Sequence, residues 1–371
     1  MRRDSLDPIR EVDGLRALAI LPVLAFHLRP WGPLALGWSG VQLFFVISGF
    51  LITRILLVTR DEPRYFQNFY VRRTLRIFPI YYLYLVAVSG VALVRHQSLS
   101  QLPFYLTYTQ TLPIVWQWPI GAPPWTAHTW SLAIEEQFYL VWPLVVWLMR
   151  GRSVAGILTA TMFAAWSIRF ALTLTSRNPY LLDATLPVEM DALAAGGLVA
   201  CFTQSGVSEA ALRSRGMWAM LAGGMMLAAL VLRGGFASFA TPATWALQPP
   251  NSLLITGMSL AFGGLVAATV GGAPYLRWLA WPPLRYIGRR SYGLYMYHFA
   301  IFTVVAALFR HYGRASGGWF ALQCVIAVGL TLIVAEVSWR VVEQPLLSLK
   351  ERFAPGSNRL SAPTPGPRRV A

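Results

Sequence analysis

Apolar blocks about 20 residues long recur along this chain, and no other feature restricts its fold as tightly. Residues 36–58, 77–94, 132–149 and 291–309 are the clearest of them. A helix crosses the hydrocarbon core of a bilayer in roughly 20 apolar residues, so each block reads as a span. The pattern predicts ten, near 14–29, 36–58, 77–95, 131–149, 154–174, 186–204, 216–233, 252–270, 291–310 and 319–340. Only 12% of the 371 residues are charged, about half the share of an average soluble domain. Residues 102–116 are apolar but short and interrupted by Pro103 and Pro113, so they are expected to lie at the interface or re-enter. The expected class is all-α: a polytopic membrane bundle of about ten transmembrane helices, one domain over residues 1–350. Residues 351–371, rich in Pro with Gly and Ser, are expected to form a disordered tail.

The net charge of +16 would suggest nucleic acid if the basic residues formed one patch. Instead they alternate with the spans. Arg2, Arg3 and Arg10 precede the first block, and Arg60, Arg64, Arg72, Arg73 and Arg76 surround the second connection. Further groups are Arg150 with Arg152, Arg213 with Arg215, and Arg277, Arg285, Arg289 and Arg290. Lys350, Arg352, Arg359, Arg368 and Arg369 follow the last block. The intervening connections are nearly bare, and residues 96–130 contain no Lys or Arg. The positive-inside rule then puts both termini in the cytoplasm and the long connection outside. The basic balance is topological, and no nucleic-acid partner is expected. Arg16 interrupts the first apolar run and no small-residue cleavage pattern follows His27, so this run reads as a retained helix rather than a signal peptide. Cys201 and Cys324 fall at opposite ends of different spans, too far apart for a disulfide.

Ionisable residues inside spans are costly and mark function by default. Asp13, Arg16 and His27 lie in the first helix, DGLRALAILPVLAFH. Arg16 and His27 are eleven residues apart, close to three whole turns, so they share a face and stand ~16 Å apart. The bland alternative has Arg16 snorkelling to headgroups and His27 at the outer interface. In FYVRRTLRIFP, Arg72, Arg73 and Arg76 form one basic stripe. Guanidinium groups suit phosphates, though the stripe also fits a topology signal or contact with anionic lipid. WSLAIEEQFYLVWP brings Glu135 and Glu136 to the start of the fourth span, pointing about 100° apart. Ser131 precedes them, but the capping-box spacing pairs it with Ile134, so a capping role is disfavoured. SYGLYMYHF spaces Tyr292, Tyr295 and His298 at i, i+3, where the competing reading is a hydrogen-bonded core histidine among interfacial tyrosines. Glu336, Arg340 and Glu343 read as mutual ion pairs.

There is no HExxH, no Cys/His metal spacing, no P-loop and no Gly-x-Ser-x-Gly elbow, so no metal is expected. With the residues on the page, the chain resembles the acyltransferase-3 family of bacterial membrane O-acyltransferases, in its stand-alone membrane-domain form. The likeness covers about residues 10–345. It rests on REVDGLRALAILPVLAFH, with Arg16 and His27 in the family's Arg-x10-His pattern; on GVQLFFVISGFLIT; and on Arg73 and Arg76 as its Arg-x-x-Arg. WSLAIEEQFYLVWP, SYGLYMYHF and VVEQP complete the order. One departure is Glu189, in PVEMDAL, where members often have Arg.

The resemblance implies a bacterial inner-membrane enzyme with no bound cofactor, taking acyl-CoA, acetyl-CoA first among them, as co-substrate. It implies transfer to a hydroxyl of a carbohydrate or glycoside: lipopolysaccharide, exopolysaccharide, peptidoglycan or a secreted glycoside. On that reading Arg72, Arg73 and Arg76 hold the donor's phosphates, and a neutral His27 is the general base beside Arg16. Glu135 or Glu136 orients the imidazole or binds the acceptor. Two rivals stand beside it, a transporter of acyl groups or lipid-linked sugars and a non-catalytic membrane subunit or receptor.

Overall fold

The computed structural model describes residues 8–29, 32–116, 121–149, 153–176, 178–182, 184–239, 248–312 and 318–349. The tail expected at 351–371 lies outside them. Among the described residues there is no strand, and ten helices have 19 or more residues. In chain order they are α1 (Arg10–Leu28), α2 (Gly40–Thr59), α3 (Tyr65–Val94), α4 (Trp130–Leu148) and α5 (Val154–Thr175). They continue as α6 (Leu186–Gln204), α7 (Glu209–Gly234), α8 (Ser252–Val270), α9 (Ser291–His311) and α10 (Trp319–Ser338). Each coincides with one of the ten expected blocks. Eight of the ten lie in segments long and apolar enough to cross a membrane. The other two, α1 and α4, fall short because they carry the ionisable residues singled out above.

α2 is the hub. It packs against α1, α4, α6 and α8, and its side chains are buried nearly all round, from Val41 through Phe45, Phe50 and Leu56. Glycines allow its close approach to α6. A β-carbon on Gly49 would stand 1.9 Å from the Leu193 carbonyl oxygen, and one on Gly196 would stand 1.9 Å from that of Val46. Backbone contact of this kind is how small residues join membrane helices that gain nothing from expelling water. Outward faces are apolar instead: Val86, Val94 and Leu232 are each more than 70% exposed. Such surface is unfavourable in water and ordinary against lipid.

Residues 102–116 do not form a span. They fold as two short helices, Leu102–Leu106 and Thr111–Trp116, which sink into the bundle beside α3. Tyr81 Oη donates to the Tyr105 carbonyl (2.8 Å), and Tyr82 Oη to that of Leu106 (2.9 Å). Tyr81 lies thirteen residues before Val94, the last of α3, so the anchor is about 20 Å below that helix end. The fully buried Gln110 amide reaches the Thr129 carbonyl, and Tyr84 Oη that of Trp125. Irregular backbone persists at membrane depth only where protein groups satisfy it, and side-chain donors from α3 do so here. The segment is re-entrant.

A second irregular piece ties α8 to α9. The 3-10 turn Pro274–Ala280 and the helix Pro282–Arg289 lie along the first half of α1. A β-carbon on Gly14 would meet the Leu279 carbonyl oxygen at 2.1 Å, and one on Gly288 would meet that of Asp13 at 1.7 Å. The turn of α1 that carries Asp13 and Arg16 is thus fixed by backbone contact.

Candidate functional site

Arg16 points from that fixed turn into a cavity of about 110 Å³. α3 contributes Arg73, Arg76 and Ile77 to its wall, and α4 contributes Ser131, Glu135 and Tyr139. α2 supplies Ser48 and an apolar lining of Phe44, Phe45 and Leu51, and α9 supplies Tyr292 and Tyr295. Three separate helices, α1, α3 and α4, therefore converge three arginines and one glutamate on a cavity that five helices line. Arg16 Nη1 is 3.2 Å from Asp13 Oδ1, one turn back, so Asp13 serves as its counter-charge behind the wall. Arg73 Nε is buried without a hydrogen-bond partner. The Ser48 and Tyr139 hydroxyls are 2.5 Å apart, beside the Glu135 carboxyl.

Packing separates residues that the sequence could not. Glu135 faces the cavity, whereas Glu136 lies outside the lining and leaves Oε1 buried without a partner. Arg73 and Arg76 line the cavity, whereas Arg72 turns to a shallow groove with Thr59, Glu62 and Asn68. Ser131 caps nothing; the residue before α4 is Thr129, without a side-chain cap, and Ser131 Oγ is 2.6 Å from Tyr295 Oη. Tyr295 Oη also lies 2.6 Å from the His128 carbonyl. A carbonyl only accepts, so the phenol proton goes to His128 and Ser131 donates to the phenol. Tyr292 and Tyr295 are cavity residues, not interfacial ones.

Beyond Tyr295 the site continues as three histidines. His298, fully buried, has Nδ1 2.7 Å from the Tyr295 carbonyl and Nε2 3.3 Å from His27 Nδ1. His27 Nδ1 is also 2.9 Å from the Val23 carbonyl. Facing a carbonyl, His298 Nδ1 carries its proton, which leaves Nε2 an acceptor. The proton between the rings then belongs to His27 Nδ1, shared between His298 and Val23. This network assigns the tautomers and leaves the lone pair of neutral His27 on Nε2. The orientation expected from Glu135 or Glu136 is therefore corrected: the partners of His27 Nδ1 are a histidine and a backbone carbonyl.

The third ring, His128, was not anticipated. It sits on a 3-10 turn, Ala127–Thr129, just before α4, with its centroid 5.2 Å from that of His298. Helical periodicity cannot reach a residue outside the helix, and the only available signal was its closeness to Ser131. The rings meet edge to face, at 67° for His27 with His298 and 76° for His128 with His298. Among the described residues no group of three His, Cys, Asp or Glu side chains is placed to hold a metal. Both cysteines are free thiols.

Other buried charges lie apart from this site. Arg169 and Asp191 pair at 2.6 Å with no exposure, joined by Thr256. Glu189, the departure from the family pattern, is buried and accepts from Gln42 Nε2 at 2.7 Å. Glu336 pairs with Arg340 as expected and also with Arg290, but Glu343 does not join them.

The fold and this convergence of motif residues define a membrane acyltransferase scaffold, and sequence comparison agrees. The chain belongs to the acyltransferase-3 family: the model of its acyltransferase domain matches residues 9–336. The peptidoglycan O-acetyltransferase OatA of Listeria monocytogenes is 30% identical over 362 residues, covering 91% of this chain and 56% of that protein. The putative peptidoglycan O-acetyltransferase YrhL of Bacillus subtilis is 29% identical, covering 90% and 54%. The O-acetyltransferase OatA of Staphylococcus aureus is 26% identical, covering 90% and 56%. The chain thus spans a little over half the length of these curated relatives. No solved structure matches.

Proposed function

We propose that this protein is a multi-pass enzyme of the bacterial inner membrane that moves an acyl group, acetyl by preference, from cytoplasmic acyl-CoA to a carbohydrate or glycoside hydroxyl. The observation that carries this reading is the two-level polar column: an arginine-lined cavity on the Arg-rich side, then the His27 imidazole beyond it, bonded through Nδ1 and with Nε2 left over. A cavity of about 110 Å³ is far smaller than a CoA molecule, so it suits the thioester end alone. The phosphates then lie toward the cytoplasmic mouth, where Arg72 and Arg73 share a groove. Arg73 and Arg76 offer charge-assisted bonds to donor oxygens. Glu135 supports acceptor or donor positioning from the opposite wall.

In the reaction His27 Nε2 takes the hydroxyl proton as the oxygen attacks the thioester carbonyl. The carbon–sulfur bond breaks, and the proton finally resides on the CoA thiol. The two relatives named for peptidoglycan favour a cell-wall glycan acceptor over lipopolysaccharide. The purified protein, given acetyl-CoA with and without glycan fragments, tests this. Acceptor-dependent release of free CoA with a matching mass gain on the glycan is expected. Passage of acetyl-CoA or glycan across proteoliposomes without any ester formed would establish the transporter instead.

A further inference from the structure

The arm between α8 and α9 carries more side-chain surface than its packing uses. In its 3-10 turn, Pro274–Ala280, side chains three apart stand in line. One line, Leu276 and Leu279, is buried. A second, Tyr275 and Trp278, faces outward and is joined by Trp281 just past the turn; these rings are 51–59% exposed. The third line holds Arg277, also exposed. Large aromatics left half bare are poorly placed in water and well placed at the headgroup level of a bilayer, where Trp and Tyr concentrate.

Charge on this arm is one-sided. Residues 271–290 hold Arg277, Arg285, Arg289 and Arg290 and no Asp or Glu. Arg290 is engaged, paired with Glu336 and lying over Trp339 in the π-turn Trp339–Glu343 that continues α10. Asp13, in the α1 turn against which the arm lies, is paired with Arg16. Among the described residues no ion pair holds Arg277, Arg285 or Arg289. Arg285 and Arg289, at i and i+4, share a face of the helix Pro282–Arg289, and Arg285 Nε is buried without a hydrogen-bond partner. The positive-inside rule accounts for arginines on this side but not for the aromatic row beside them. Backbone contacts at Gly14 and Gly288 fix the arm's inner side to α1, so its outer side is presented preformed.

We infer that this arm is a binding site for anionic phospholipid of the cytoplasmic leaflet. Arg277, Arg285 and Arg289 hold lipid phosphate, and the acyl chains lie against Tyr275, Trp278 and Trp281. A membrane lipid rather than a free phosphate is the occupant, because bare aromatic rings offer nothing to a small anion. The site stands apart from the donor cavity, whose lining includes none of these residues.

Native mass spectrometry of the purified full chain tests it, after delipidation and incubation with equal phosphatidylglycerol and phosphatidylcholine. Phosphatidylglycerol is expected to be retained in preference by about fivefold or more. R277Q/R285Q/R289Q should lose most of that preference, and W278A/W281A should lose retained lipid with every charge in place. Tryptophan quenching by brominated lipid covers a variant that does not fold. The difference between wild type and the conservative W278F/W281F should show these two rings quenched more by brominated phosphatidylglycerol than by its choline counterpart. Equal retention of the two lipids by wild type would overturn the inference, as would wild-type preference in the arginine variant or equal quenching by the two brominated lipids. A W278A/W281A that keeps its lipid would reduce the arginines to a topology signal. Displacement of the lipid by glycerol phosphate in solution would make the site one for a free phosphate. Either result sinks the lipid site.

Discussion

At His27 the proposed chemistry turns on one ring nitrogen. Nδ1 is committed to Val23 and His298, and only Nε2 is left to accept a proton. Acid–base groups placed in this way contribute about 10²–10⁴ in rate. H27A is therefore expected to abolish detectable transfer while acetyl-CoA still binds, measured by calorimetry or competition with a labelled donor. H27Q keeps a polar side chain but cannot cycle a proton near neutrality; near-wild-type turnover in that variant would remove His27 from the role of base. For H298F, which takes away the acceptor that helps set the tautomer, kcat should fall about tenfold or more with the donor KM unmoved. Arg16 and His27 were legible in the sequence because eleven residues on one helix fix a common face. The choice between Glu135 and Glu136 was not legible, since two side chains about 100° apart on one helix leave open which of them meets the cavity until neighbouring helices are placed. His298 was visible as a candidate, but its partner sits 271 residues away in the chain, and no local pattern encodes that distance.

Among elements, the contacts that position the site are backbone against backbone. Gly288 brings the helix Pro282–Arg289 onto the Asp13 carbonyl, one turn from Arg16. Overpacking a tight contact costs about 1–3 kcal/mol, and here the displaced atoms belong to the arginine's own turn. G288A is expected to weaken acetyl-CoA binding by about tenfold or more, with a smaller fall in melting temperature. G196A, which intrudes on Val46 in the α2–α6 contact, should act the other way round, losing folded protein before donor affinity. G224A, with nothing within 4 Å of the added carbon, serves as the silent control. Thermal melts of detergent-solubilised protein beside donor-binding isotherms separate the cases. The long helices could be read from apolar block length. The arm between α8 and α9 and the π-turn after α10 could not, because both are set by tertiary fit. The re-entrant segment was half legible: Pro103 and Pro113 argued against a span, but its depth depends on tyrosines of α3 donating to its carbonyls.

For the whole molecule, orientation follows from where the arginines lie. If all ten helices cross in series, the connections 60–64, 149–153, 205–208 and 271–290 fall on one side together with the start of α1 and the end of α10. Those connections hold Arg60, Arg64, Arg150, Arg152, Arg277, Arg285, Arg289 and Arg290. The long 96–130 connection, free of Lys and Arg, falls on the other side. A reporter fused after Lys350 should accordingly read as cytoplasmic, and one inserted at Gly121 as external, by paired phosphatase and fluorescent-protein fusions. α1 and α4 are the helices that composition alone would reject; both must cross for this arrangement to hold, and one charge from each, Arg16 and Glu135, faces the cavity. If either failed to cross, every later connection would change sides, and the arginine groups after it would face outward against the positive-inside rule. An external C-terminus demands an odd number of crossings. Residues 102–116 offer no extra one, because their helices of five and six residues are too short to span and are already held inside the bundle by Tyr81 and Tyr82. That result would therefore mean that α1 or α4 does not cross, and it would separate Arg16 and His27 from Glu135 and so dismantle the site together with the topology.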